Sequence, residues 1–127
     1  MNLTDISQKL LIVNPKTRKI EAAIDVEGSG HWLAVLPDAS RAYVSLQRGG
    51  DFISIVDLKA RKMVSRLVVP GGTVGITASP DGKRVFAMAG GQTGPATVIV
   101  IDTGTNAIVD RVALQGHSEP GYKLKVS

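Results

Sequence analysis

Residues 79–90 read SPDGKRVFAMAG, and residues 36–47 read LPDASRAYVSLQ. Placing Pro37-Asp38 on Pro80-Asp81 superposes the two stretches with an offset of 43 residues. The same offset carries Asn14 in IVNPKTRKI onto Asp57 in IVDLKARKM, and an offset of 45 carries Asp57 onto Asp102 in VIDTGTNAI. The two extra residues fall in GGQTGPA, the counterpart of the shorter QRGGD. Stacked modules tolerate insertions confined to one loop. The chain therefore reads as three repeats: a partial unit to about residue 30, units at 31–73 and 74–119, and a final strand at 120–127.

Each repeat divides into four short strands. In the middle unit, strand A is HWLAVL (31–36), strand B RAYVSLQ (41–47), strand C FISIVDL (52–58) and strand D KMVSRLVV (62–69). The turns have local causes. Asp81-Gly82 supplies the positive φ of a tight hairpin, and Gly49-Gly50 serves strands B and C in the same way. Asn14, Asp57 and Asp102 close strand C, where a short polar side chain bonds the backbone amides that follow. Strands A to C are nearly continuously apolar, as in VIVI (98–101), which predicts that both of their faces are covered. Arg66 and Arg111 mark strand D as an outer edge. Tyr43 and Phe86 occupy equivalent positions in strand B and are expected in the core.

Composition agrees with an all-β chain. Val and Ile dominate a 43% apolar content, with 14 Gly and 6 Pro for turns. Cysteine is absent, so neither a disulfide framework nor a thiolate metal site is available. No apolar run approaches the ~20 residues of a membrane-spanning helix. The start as written, MNLTDISQKLLIV, has no basic segment leading into a long apolar one. Location is left open: cytoplasmic as written, periplasmic or extracellular if the chain belongs to a longer exported protein.

Four-stranded antiparallel meanders repeating about every 43 residues are the sequence form of a β-propeller, an all-β fold whose blades pack face to face around an axis. SPDGKRVFAMAG…VIVIDTGTNAIVDRVAL also resembles the YVTN-type propeller repeat, roughly sPDGkrvYVtn…nvsvIDtatnkvvatI. The similarity covers nearly the whole chain and is strongest over 73–114. YVSL and FAMA depart from the YVTN tetrapeptide, and Ala39 replaces the turn glycine of the middle unit. The resemblance implies the propeller fold. It spans lactone hydrolases, haem d1 and quinone-cofactor proteins, surface-layer modules and nucleic-acid binders, so it implies no single activity.

No motif supplies the missing chemistry. AGGQTG lies in a hairpin, not between a strand and a helix, and reads as a turn rather than a phosphate cradle. No Gly-x-Ser-x-Gly elbow, His-Glu-x-x-His helix or paired-histidine spacing occurs. No metal site, cofactor or catalytic residue is assigned from the sequence, and whether the protein is an enzyme is open. The expected role is a binding or assembly module, with a lactone hydrolase-like or haem d1-like propeller as the alternative.

Topology still sorts the residues into two ends. The A–B and C–D turns share one end, which gathers Lys16, Arg18, Lys19, Arg41, Lys59, Arg61, Lys62, Lys83 and Arg84, nine of the fifteen basic residues. Arg18, Arg61 and Lys62 are the candidates for an anionic partner such as nucleic acid. Without an aromatic stacking platform, a solvated face is the nearer reading. The B–C and D–A connections share the other end, with His31, Asp51, His117 and Glu119 as candidate ligand-binding residues at the channel mouth. Both histidines of the chain lie in D–A connections, and imidazole binds metals or moves protons near neutral pH. Finally, 1–4 correspond to 44–47, the end of strand B, and 122–127 to 74–79, a strand A. The expected partner is a second copy, whose strand A completes the first unit to close a six-bladed homodimeric ring.

Overall fold

The alternation of β-branched and aromatic residues between Gly, Asn and Asp turns gives ten antiparallel strands in a computed structural model, which describes residues 9–28, 30–46, 51–70, 72–90 and 96–114. They are β1 (Lys9–Asn14), β2 (Lys19–Asp25), β3 (Gly30–Val35), β4 (Arg41–Leu46), β5 (Phe52–Asp57), β6 (Lys62–Val68), β7 (Gly75–Ala78), β8 (Arg84–Gly90), β9 (Ala96–Asp102) and β10 (Ala107–Leu114). Three sheets follow the chain in order. β1 and β2 form a two-stranded sheet (unit 1). Then β3-β4-β5-β6 (unit 2) and β7-β8-β9-β10 (unit 3) form two four-stranded meanders.

Within each unit the turns behave as the repeat demands. Asn14 Oδ1 accepts from the amides of Lys16 and Thr17, Asp57 Oδ1 from those of Lys59 and Ala60, and Asp102 Oδ1 from Gly104. The fourth turn residue then adopts a left-handed backbone in all three units: Arg18 at φ 61°, Arg61 at 57° and Asn106 at 54°. A register shift recurs where the third strand meets the fourth, between Ile12/Val13, Ile55/Val56 and Ile108/Asp110. Such bulges sharpen the twist that lets sheets stack around a common axis.

The sheets stack through alternating faces. Tyr43, Ile53 and Ile55 of unit 2 meet Val85, Ala87, Ile99 and Ile101 of unit 3, all at 0% exposure. On its other side unit 2 presents Ala42, Val44 and Val56 to Leu10, Ile12 and Ile24 of unit 1. Each such side chain, moved fully out of water, contributes roughly 1.5–3 kcal/mol. Buried hydroxyls follow the same junctions: Ser54 Oγ donates to the Val26 carbonyl at 2.5 Å and Ser45 Oγ to that of Thr73 at 3.1 Å.

Two expectations about burial need correction. Strand A of unit 2 is not covered on both faces, since Trp32, Leu33 and Val35 of β3 are 46%, 47% and 45% exposed. For Leu33 and Val35 the cause is local: among the described residues, unit 1 contributes no strand alongside β1 to lie opposite that face of β3, whereas Trp32, paired with Ser45, lies on the other face. Phe86 is half-buried, whereas its counterpart Tyr43 is fully enclosed, because unit 3 has no described neighbour on that side. The expected strand at 122–127 and the Gly49-Gly50 turn lie outside the described residues.

Candidate functional site

Of the expected channel-mouth residues, His31 is positioned by β3, the first strand of unit 2. The register of β3 on β4 runs Gly30↔Leu46, then jumps to Trp32↔Ser45, leaving His31 as the extra residue of a β-bulge. A bulged residue has no ladder partner and its side chain is re-aimed relative to its neighbours. His31 is exposed, and its ring meets that of Trp32 edge-on, with centroids 4.8 Å apart and planes at 83°. In unit 3 the register from Gly75↔Met88 to Ala78↔Val85 matches that from Trp32↔Ser45 to Val35↔Ala42. Val74, the counterpart of His31, precedes β7 and donates its amide to the Met88 carbonyl at 2.7 Å.

His31 and Trp32 border an open depression of about 190 Å³ whose walls include Lys9 and Leu10 of β1, Val26, Leu33 and Val44. That volume is below the roughly 300–1,000 Å³ of pockets that enclose a drug-sized ligand. It suits a small group or one side of a larger one. Apolar walls with Lys9 and His31 among the lining residues form a mixed surface.

Asp51 lies at the same end of unit 2, immediately before β5, and is exposed. The β4 strand separates it from His31, so the two stand about two strand spacings, roughly 10 Å, apart. His117 and Glu119 lie outside the described residues. Among the described residues, no group of three His, Asp or Glu side chains gathers in metal-binding geometry.

At the opposite end, the A–B and C–D turns do lie side by side: Leu58 N donates to the Ser40 carbonyl at 3.0 Å and Thr103 N to that of Lys83 at 3.1 Å. The basic set there is partly neutralised. Arg61 approaches Glu21 across the junction, Nη2 to Oε2 at 3.9 Å, and Arg84 approaches Asp102 at 3.5 Å. Arg18 and Lys62 are exposed. The turn carboxylates of Asp38, Asp57 and Asp81 are lowered from the ordinary aspartate value. For Asp38 the leading cause is the Ser40 hydroxyl, for Asp57 the Ala60 amide and for Asp81 the Ser79 hydroxyl. Nearby lysines contribute as well, Lys59 to both Asp38 and Asp57, and Lys83 to Asp81. Acids and bases are interleaved, the pattern of a solvated face.

Arg41 is withdrawn from that surface. Its Nη1 donates to the Thr103 carbonyl at 2.5 Å, to Asn106 Oδ1 at 2.8 Å and to Tyr43 Oη at 3.1 Å. Tyr43 Oη donates to Asn106 Oδ1 at 2.6 Å. Burial is the main influence on Tyr43 and raises the phenol's pKa. The four residues tie strand B of unit 2 to the C–D turn of unit 3. Sequence reasoning missed this junction. Its one signal is that the turn residue is Asn in unit 3 and Arg in units 1 and 2, while Tyr43 faces it from unit 2.

Comparison with solved structures places these sheets in a β-propeller. The chain is similar to hydrazine synthase from Kuenenia stuttgartiensis, with 27% identity and a TM-score of 0.78 over 85% of this chain and 30% of that one. It is also similar to the dihydro-haem d1 dehydrogenase NirN in complex with DHE, at 18% identity and TM-score 0.71, covering 85% of this chain and 24% of that one. The WD40 repeats of RRP9 match at 9% identity and TM-score 0.74, over 87% of this chain and 34% of that one. The chain thus spans about a third or less of the length of each of these three proteins. No protein-family model matches the sequence, and no curated sequence matches it.

Proposed function

We propose that this chain forms three units of a YVTN-type β-propeller and works as a binding or assembly module, taking small ligands at the channel mouth between its D–A and B–C connections. The observation that carries this reading is the bulge at His31. It sets an imidazole beside the chain's one tryptophan, on the rim of an apolar depression, at a position where unit 3 carries Val74. Loop-borne polar groups around a concave, partly apolar wall are the usual make-up of ligand sites. Amide chemical-shift mapping tests it, with acetate, inorganic phosphate and haemin as separate probes. Shifts centred on His31, Trp32 and Asp51, lost in the His31→Ala/His117→Ala double variant with the fold intact, are the expected result. Shifts centred on β6 and β10, or binding that survives both substitutions, overturn the site.

The second reading is a cofactor-bearing or catalytic propeller of the haem d1 or lactone hydrolase kind. The likeness to NirN and to hydrazine synthase favours it, at 18% and 27% identity. Under it, the haemin arm produces a visible absorbance band that depends on His31. Saturation by acetate or phosphate without such a band favours the binding module.

A further inference from the structure

Both junctions in the described chain are made by the same two faces. Each unit has a trailing face, turned to the unit that follows, and a leading face, turned to the one before. Leu10 and Ile12 of unit 1 stand where Ile53 and Ile55 stand in unit 2, one repeat later, and all four lie on trailing faces. Ala42 and Val44 of unit 2 correspond to Val85 and Ala87 of unit 3, all on leading faces. Every seam in the chain joins one face of each kind.

Among the described residues, one face of each kind is left over. The trailing face of unit 3 carries Phe86, Val98 and Val100, at the positions of Tyr43, Ile53 and Ile55. Its members are half-buried where those of unit 2 are wholly enclosed. Val112 of β10, paired with Val98, extends the same face and is 45% exposed. The leading face of unit 1 carries Leu11 and Val13, at the positions of Ser54 and Val56. Val13 is 51% exposed. Beside it, the outer edge of β1 has no partner among the described residues, and Leu33 and Val35, paired with Val44 and Ala42, stand uncovered on the side facing unit 1.

We propose that a second copy of this chain covers both surfaces, the trailing face of unit 3 in one copy seating on the leading face of unit 1 in the other, twice, in a two-fold ring of six units. The inference rests on the three-unit propeller reading. What commits it to a second copy is continuity: the two unmatched faces are the halves of a seam that the chain already builds twice. Six units fall within the four to eight that close a propeller. A head-to-tail contact that closes by two-fold rotation leaves no open end.

Sedimentation analysis of the intact chain at tens of micromolar tests the ring. The expected species has twice the 13.4 kDa of one chain. Val13→Glu and Val112→Glu each place a carboxylate in both seams of the ring while altering a side chain already half-exposed in the single chain. Each variant is expected to weaken self-association about ten-fold or more with an unchanged far-ultraviolet spectrum. An equimolar mixture of the two recovers dimer, because the mixed pair keeps one unaltered seam. Four results overturn the proposal: a monomeric intact chain, an assembly larger than two, a dimer indifferent to both substitutions, or a mixture no better than its components. A β-rich monomer assigns the two faces to further units of the same polypeptide and leaves the propeller reading standing. A spectrum without β structure overturns both.

Discussion

Ala39 and Gly82 occupy the same place in successive A–B turns and the same left-handed conformation, at φ 59° and 73°. The PDG turn was legible at Asp81-Gly82 because glycine enters that region freely. That the turn survives in unit 2 without glycine was not legible, since its cause lies in the neighbours. Asp38 Oδ1 accepts from the Ser40 amide at 3.0 Å and the Ser40 hydroxyl at 2.6 Å, and the Ala39 amide reaches the Leu36 carbonyl at 2.8 Å. Unit 3 repeats the scheme with Asp81, Ser79 and Lys83. These bonds hold an alanine where an L side chain costs ~1–2 kcal/mol. Ala39→Gly removes that strain against a backbone-entropy loss of ~0.5–1 kcal/mol, so urea unfolding is expected to show a net gain of about 0.5–1 kcal/mol. Gly82→Ala is expected to lose ~1–2 kcal/mol, and its new Cβ meets Pro37 Cδ at 3.3 Å. Equal stabilities for the parent and both variants would mean that the turns relax to another backbone form.

At the scale of strands, the repeat register was enough to place all ten described elements, because alternation and turn chemistry are local properties. Burial was less legible, because it belongs to pairs of units. VIVI at 98–101 reads as covered on both sides, and the structure encloses Ile99 and Ile101 while leaving Val98 and Val100 half-buried. Least legible was the polar tie between Arg41 and Asn106, 65 residues apart, which no local pattern announces. Tyr43→Phe tests its weight. The change removes the phenol's two hydrogen bonds, to Asn106 Oδ1 and from Arg41 Nη1, and leaves Asn106 Oδ1 still accepting from Arg41, so the expected cost is ~1–2 kcal/mol. Asn106→Gly keeps the left-handed turn and removes both bonds to the amide oxygen. In a double-mutant cycle the two changes are expected to couple by roughly 1 kcal/mol. Strict additivity would mean that the phenol and the amide do not act as one unit. Phe86, at the equivalent position in unit 3, has no hydroxyl to offer a following turn, so this tie is specific to the seam between units 2 and 3.

For the whole molecule, the turn carboxylates and the net charge act together as pH falls. Asp38, Asp57 and Asp81 are held below the ordinary range by turn hydrogen bonds, and Asp25 is lowered chiefly by the Glu27 amide. A group whose pKa is depressed in the folded state takes up its proton first in the unfolded chain. Its stabilisation is therefore complete above the ordinary aspartate value of about 3.9 and is lost as pH falls through the lower folded values. Over the same range the formal charge of +4 grows more positive, and self-repulsion adds to the loss. Thermal unfolding is thus expected to fall steeply below about pH 4. Added salt recovers only the part due to repulsion, because screening acts on separated charges and not on bonded ones. Asp57→Asn separates the two contributions. Unit 1 already carries Asn14 at this position, with its side-chain oxygen 2.9 Å from the Lys16 amide and 3.2 Å from the Thr17 amide. The variant is expected to fold as the parent does at neutral pH and to lose less stability on acidification. An unchanged acid response in Asp57→Asn would remove that turn from the account and leave global repulsion as the cause.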